Sequence, residues 1–183
     1  MIIASKKRKE NIAEYLLYMW QVEDLIRAYG LNLDLIDEAI VSKMGLDEET
    51  HKKVLEWYES LIDMMRSEGV VQSGHLQLNK NVIIQLTDLS NTLLKDSRFT
   101  EYSAEFYRTL PFIVELRAKA KDSAVGEIET CMIALYGILL MKLQGKEISD
   151  DTANAVKQIT RFIASLSHYF KLDQENQLFK DQE

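Results

Sequence analysis

The sequence predicts an all-α fold: a single-domain bundle of about seven helices around a buried central helix. Three observations carry this prediction. Apolar residues recur every three to four positions in each long segment, the pattern of helices with one buried face. One proline and seven glycines in 183 residues leave too few turn residues for a sheet. The stretch Ser123–Gln144 has no charged side chain from Cys131 to Met141. A helix apolar on every side is expected in the interior, and this run is shorter than the roughly 20 residues that span a bilayer.

In chain order, the first helix is expected from about Lys9 to Tyr29, ending at Gly30 as a left-handed cap. Asp34 caps a short second helix through Met44, closed by Gly45, and Asp47 caps a third that runs to about Glu68. The fourth covers about His75 to Lys95 and the fifth about Thr100 to Lys121. Pro111 removes a backbone hydrogen bond from the fifth helix and is expected to kink or split it near Leu110. The sixth is the central helix, and a seventh, capped within Ser149–Asp151, runs to about Lys171. Residues 1–172 form one domain, and the polar tail 173–183 is expected to fray.

Composition narrows the function classes. A net charge of −7 argues against a nucleic-acid partner. The single Cys131 cannot form an internal disulfide and reads as a small buried hydrophobe in a reducing compartment. The N-terminal MIIASKKRK places apolar residues before basic ones, the reverse of a secretory signal, so a cytoplasmic location is expected, with no membrane partner. The basic run Lys6–Lys9 reads first as a solvated helix end and second as a contact for phosphate or an anionic surface.

Three catalytic or binding motifs fail on geometry. Glu56, Glu59 and Asp63 have the E-x-x-E-x-x-x-D spacing of helical magnesium pyrophosphatases, with Glu147 and Asp150 as a potential second pair. They fall opposite the apolar arc of Val54, Leu55, Tyr58, Leu61, Ile62 and Met65, so they face water and not a pocket. Glu48-x-x-His51 has the spacing of di-iron bundles, but such sites need the motif twice with two further inward glutamates. A helix-turn-helix reading around Gly45 would aim Asp47, Glu48 and Glu49 at phosphates, which repels DNA. No metal and no cofactor is implied.

What remains is a set of charges on apolar stripes. Glu23 and Arg27 lie beside Tyr15, Leu16 and Trp20 on the first helix, and Arg117 continues the stripe of Tyr102, Phe106, Leu110 and Ile113. A charge on a buried stripe needs a partner or a ligand. Tyr15, Trp20, Glu23, Arg27 and Arg117 are therefore the candidate residues, for a buried ion pair first and a small-ligand pocket second. Glu23 is the expected partner of Arg117, with Arg27 as third member.

The stretches ENIAEYLLYMWQVEDLIRA (Glu10 to Ala28) and LPFIVELRAKA (Leu110 to Ala120) resemble an uncharacterised family of small, all-helical bacterial proteins, a domain of unknown function. The resemblance implies a helical, bacterial, cytoplasmic protein over nearly the whole chain and transfers no catalytic residue. The leading functional expectation is a non-enzymatic helical binding or interaction module, with a homodimer as the first form. The alternative is a small-molecule-binding protein or enzyme with a polar pocket on the first and fifth helices.

Overall fold

A computed structural model of the chain describes residues 2–120 and 125–179. Among the described residues eight α-helices follow one another: α1 Ile2–Glu10, α2 Ile12–Ala28, α3 Leu33–Ala39, α4 Glu48–Ser67, α5 Gln77–Lys95, α6 Thr100–Ala120, α7 Glu127–Leu143 and α8 Asp150–Gln174. Short 3-10 turns at Val41–Met44 and Ser97–Phe99 extend the connections before α4 and α6. No strand occurs among the described residues. The chain is an all-α, single-domain bundle, and no helix among the described residues is long and apolar enough to cross a membrane.

Local side-chain chemistry sets the boundaries. The expected first helix is α2, and an unexpected helix, α1, precedes it, the two separated where Asn11 leaves the helical region (φ −155, ψ 110). Its side chain accepts hydrogen bonds from the N–H groups of Ala13 and Glu14 at 3.0 and 3.1 Å, which opens a new helix at Ile12. Asn32, not Asp34, caps α3 in the same way. Asp47 caps α4 through Thr50 and Ser149 caps α8 through Thr152, as the sequence predicts. Pro111 neither splits nor ends α6, which is helical throughout Thr100–Ala120. Pro111 lies on the exposed side with Tyr107 and Val114, where water can satisfy the carbonyl that proline leaves free. Leu178 packs on the core and Phe179 sits edge-on to Phe99 at 6.0 Å, so the tail is docked as far as it is described. Residues 180–183 and the start of the expected sixth helix at Ser123 lie outside the described residues.

The central helix is the main correction. It is α2 that occupies the interior, with Ile12, Leu16, Met19, Trp20, Val22 and Ile26 all at most 3 % exposed. It touches α1, α5, α7 and α8, while α8 packs along α6. In α7 only Ile128, Thr130, Cys131 and Met132 are buried. From Ile133 onward every residue of α7 is half-buried or exposed, with Ile133 at 48 % and Leu143 at 67 %. Uniform apolarity measures how much surface a helix would lose from water if it were covered on all sides. In this chain α7 packs on α2, α5, α6 and α8 but keeps a strip through Ile133 and Gly137 exposed.

The buried end of α7 makes a chemical prediction. Burial pushes the Cys131 thiol from 9.0 up to about 12, with smaller opposing effects from Arg117 and Glu127. Because the folded value is raised, this contribution to stability is intact below pH 9 and is lost as pH rises toward 12. Cys131 is expected to resist Ellman's reagent in the native chain at mildly alkaline pH and to react fully in guanidinium. Rapid labelling without denaturant would place the thiol at the surface.

Candidate functional site

Glu23 projects from the middle of α2 and has no exposure to solvent. Its Oε1 accepts hydrogen bonds from the Leu76 N–H at 2.9 Å and the Asn79 side-chain amide at 2.7 Å. Its Oε2 accepts from His75 Nδ1 at 2.6 Å. These donors come from the end of the α4–α5 connection and the first turn of α5. Leu76, the N-cap residue of α5, has no side-chain bond of its own with which to satisfy the helix end. The α2 carboxylate does so instead, and Glu68 Oε2 takes the next amide, Gln77 N–H, at 2.6 Å. Two acids thus meet the positive end of a 19-residue helix, an arrangement favoured by its unpaired N–H groups and its dipole.

Aromatic and cationic groups close around the carboxylate. His75 stacks on Trp20 with ring centroids 4.2 Å apart and planes 14° from parallel. Tyr136 of α7 packs edge-on against the same indole at 5.6 Å. The Tyr136 hydroxyl donates to Asp24 Oδ2 at 2.5 Å, and Asp24 Oδ1 accepts from Arg27 Nη1 at 2.8 Å. Burial, and then the Asp24 carboxylate, raise the Tyr136 phenol well above its ordinary range, so it remains a donor. Arg27 Nη2 reaches across to the carbonyls of Val70, at 3.1 Å, and Gly74. Gly74 has a φ of +85, a left-handed conformation that a side chain would strain. Trp20 Nε1, Arg27 Nε and Asn79 Oδ1 are buried without a hydrogen-bond partner. Each such atom costs about 1–3 kcal/mol, so the cluster is held in place against a local penalty.

The structure brings together Trp20, Glu23 and Arg27 of the five candidates. Arg117 is elsewhere and does not pair with Glu23: its Nη1 meets Glu127 at 3.0 Å, its Nε meets Thr130 at 3.2 Å, and its Nη2 meets the Val125 carbonyl. It ties the end of α6 to the start of α7, close in the chain, where its guanidinium fork finds a carboxylate and a carbonyl together. Tyr15 is buried on α2 with the Arg8 guanidinium 5.4 Å from its ring centroid. Sequence reasoning missed His75, Asn79, Asp24 and Tyr136. The embedding of Glu23 among apolar residues was a legible signal, but its donors lie 52 to 56 positions away. Glu56, Glu59 and Asp63 are exposed, with Lys52 3.9 Å from Glu56. His51 pairs with Asp37 at 2.8 Å, not with Glu48. No group of three or more His, Cys, Asp or Glu among the described residues is placed to hold a metal ion.

The family described as Domain of unknown function (DUF4924) matches residues 1–177, and the chain belongs to it. No curated protein and no solved structure matches the chain.

The geometry separates two kinds of substitution at Glu23. Glu23→Leu leaves His75, Asn79 and the Leu76 amide without an acceptor and is expected to lower unfolding free energy by about 3–5 kcal/mol in a urea titration. Glu23→Gln keeps one oxygen acceptor and the side-chain shape and is expected to cost about half as much. Arg117→Met is expected to add to Glu23→Leu without coupling, since the two share no partner. A harmless Glu23→Leu, or a strong coupling with Arg117→Met, would contradict this placement.

Proposed function

We propose that this chain is a non-enzymatic interaction module that self-associates through the outer flank of α7 and the adjoining part of α6. The observation that supports it is the exposed side of the most apolar helix. Ile133, Gly137, Leu140 and Met141 share one face of α7 at i, i+4, i+7 and i+8, and none of them is buried. Contiguous apolar surface of this kind on a folded chain marks an interaction site. Between α6, α7 and the start of α8 lies a groove of about 840 Å³ walled by Phe112, Leu116, Ala134, Gly137, Ile138 and Met141.

Gly137 supports a second helix as the occupant. It stands in the middle of α7, where glycine destabilises a helix by about 0.5–1 kcal/mol relative to alanine. A Cβ built there would meet nothing within 4 Å, so nothing within the chain requires its absence. Close approach of another backbone does require it.

The same patch holds apolar knobs and an apolar groove, along with Glu115, Lys119 and Asp151 of both signs. An isologous dimer needs this self-complementarity. The 17 residues of α7 span about 26 Å at 1.5 Å each. Beside α6, at an axis spacing of about 10 Å, they offer a flat footprint of about 500 Å². Corrugation raises this toward the roughly 800 Å² per partner of a standard interface. The ligand-pocket alternative has less support, because the Glu23 oxygens and the Arg27 and Arg117 termini are engaged within the chain.

Light scattering on the eluting full chain is expected to give twice the 21.2 kDa chain mass at high micromolar concentration. Ile133→Glu is expected to give a monomer of unchanged helicity. Gly137→Ala is expected to raise the stability of the monomer and yet weaken the dimer. A wild-type chain that stays monomeric at that concentration would overturn self-association, including the case where the face serves a different protein.

A further inference from the structure

The fold leaves one polar atom of the Glu23 cluster without a use. His75 gives its Nδ1 proton to Glu23 Oε2 at 2.6 Å, and no hydrogen bond among the described residues engages its Nε2. An ionised carboxylate can only accept, so Nδ1 carries the proton and the lone pair of the neutral ring stands at Nε2. We propose that His75 Nε2 is a phosphoryl acceptor. The donor it suits is a phosphoramidate, the class that includes a phosphorylated histidine of another protein.

Three observations support it. The His75 side chain is 28 % exposed. Among the described residues the buried polar side-chain atoms without a partner are Trp20 Nε1, Arg27 Nε, Asn79 Oδ1 and Ser167 Oγ, so His75 Nε2 is not buried and meets solvent. The ring is also fixed in direction. It stacks on the Trp20 indole at 4.2 Å and is held at Nδ1, which limits the freedom lost on reaching an attack geometry. Finally, the buried Glu23 charge matches what the reaction creates, because a ring phosphorylated at Nε2 with its Nδ1 proton in place is a cation. The other two histidines lack this combination. Asp37 takes Nε2 of His51 at 2.8 Å, and His168 is exposed on α8 beside Tyr169, with no carboxylate bonded to its ring among the described residues.

The step needs no oxidant or reductant. The Nε2 lone pair forms the new P–N bond as the donor's P–N bond breaks, and that electron pair leaves with the donor nitrogen, which is already protonated and departs as a neutral amine. Nδ1 keeps its proton throughout, so the positive charge gained by the ring lies against the Glu23 carboxylate. Two further acids belong to the same cluster, and each is committed elsewhere. Asp24 holds the Tyr136 hydroxyl and the Arg27 guanidinium, and Glu68 holds the Gln77 N–H. Arg27 also grips the carbonyl of Gly74, the residue before His75, which brings a cation to this side of the connection. The modification places about two negative charges on the α4–α5 connection, a reversible mark on its surface.

Incubation of the full chain with potassium phosphoramidate at mildly alkaline pH tests this, read by intact mass and by mapping the modified peptides. One phosphoryl group per chain is expected at His75, attached about tenfold faster than at His168, because only His75 has a carboxylate to meet the ring charge. Nitrogen-15 spectra of the product are expected to show phosphorus on Nε2 and the proton on Nδ1. Glu23→Gln, checked for retained helicity, is expected to slow modification of His75 about tenfold and to leave His168 unchanged, since an amide cannot offset the cation. If that variant unfolds, the comparison of the two histidines within the wild-type chain decides. Modification of His168 as fast as His75 would overturn the proposal. So would attachment at Nδ1, no modification of His75, or an unchanged rate in folded Glu23→Gln, each of which would leave His75 a purely structural donor.

Discussion

The centre of the bundle is arranged around one carboxylate that water does not reach. Moving an ionised side chain into a protein interior costs several kcal/mol even after relaxation. At Glu23 the offset comes from three donors and from the positive end of α5, all of which need an acceptor themselves. The requirement runs both ways. Without Glu23 the first turn of α5 has an unsatisfied buried amide, and without α5 the α2 carboxylate has no place in an apolar core. This mutual dependence joins two helices that are far apart in sequence. It explains why His75 and the α4–α5 connection lie flat against α2, with Arg27 holding the Val70 and Gly74 carbonyls beside them.

The same cluster helps to position α7. Tyr136 reaches Asp24 and Trp20 from the flank of α7, three residues from Ile133 and four from Leu140, while Ile133 and Gly137 stay exposed. A helix that packs on α2, α5, α6 and α8 and still leaves an apolar strip exposed is half of a packing arrangement. The proposed self-association supplies the other half. The polar cluster and the exposed apolar residues thus border one another on α7, since Tyr136 lies one turn from Leu140.

The helices themselves were legible because periodicity is local. The strong apolar spacing of Glu48–Ser67 and Gln77–Lys95 needs no knowledge of what lies opposite. The break at Asn11 was less legible, since only the backbone conformation reveals that the side chain caps the next helix and does not simply face solvent. The placement of α7 was misread for a related reason. Hydropathy reports that Cys131 to Met141 avoids charge, but not how much of the helix its neighbours cover. At the polar cluster, Glu23 stood out as an acid among large apolar residues, while its partners depended on where a loop returns. Arg117 was matched to Glu23 as the most conspicuous buried charge available, yet a nearer carboxylate, Glu127, lay across a short connection.

The most direct measurement on the central claim is amide hydrogen exchange at the start of α5. If the Glu23 carboxylate clamps this end, the Leu76 and Gln77 amides are protected far beyond ordinary first-turn amides, with opening free energies close to that of global unfolding. In Glu23→Gln that protection falls at Leu76 and in the α4–α5 connection, while α6 and α8 retain theirs. Exchange of the wild-type Leu76 amide at the rate of an open loop would contradict the account, since the carboxylate would then not be holding α5 to α2.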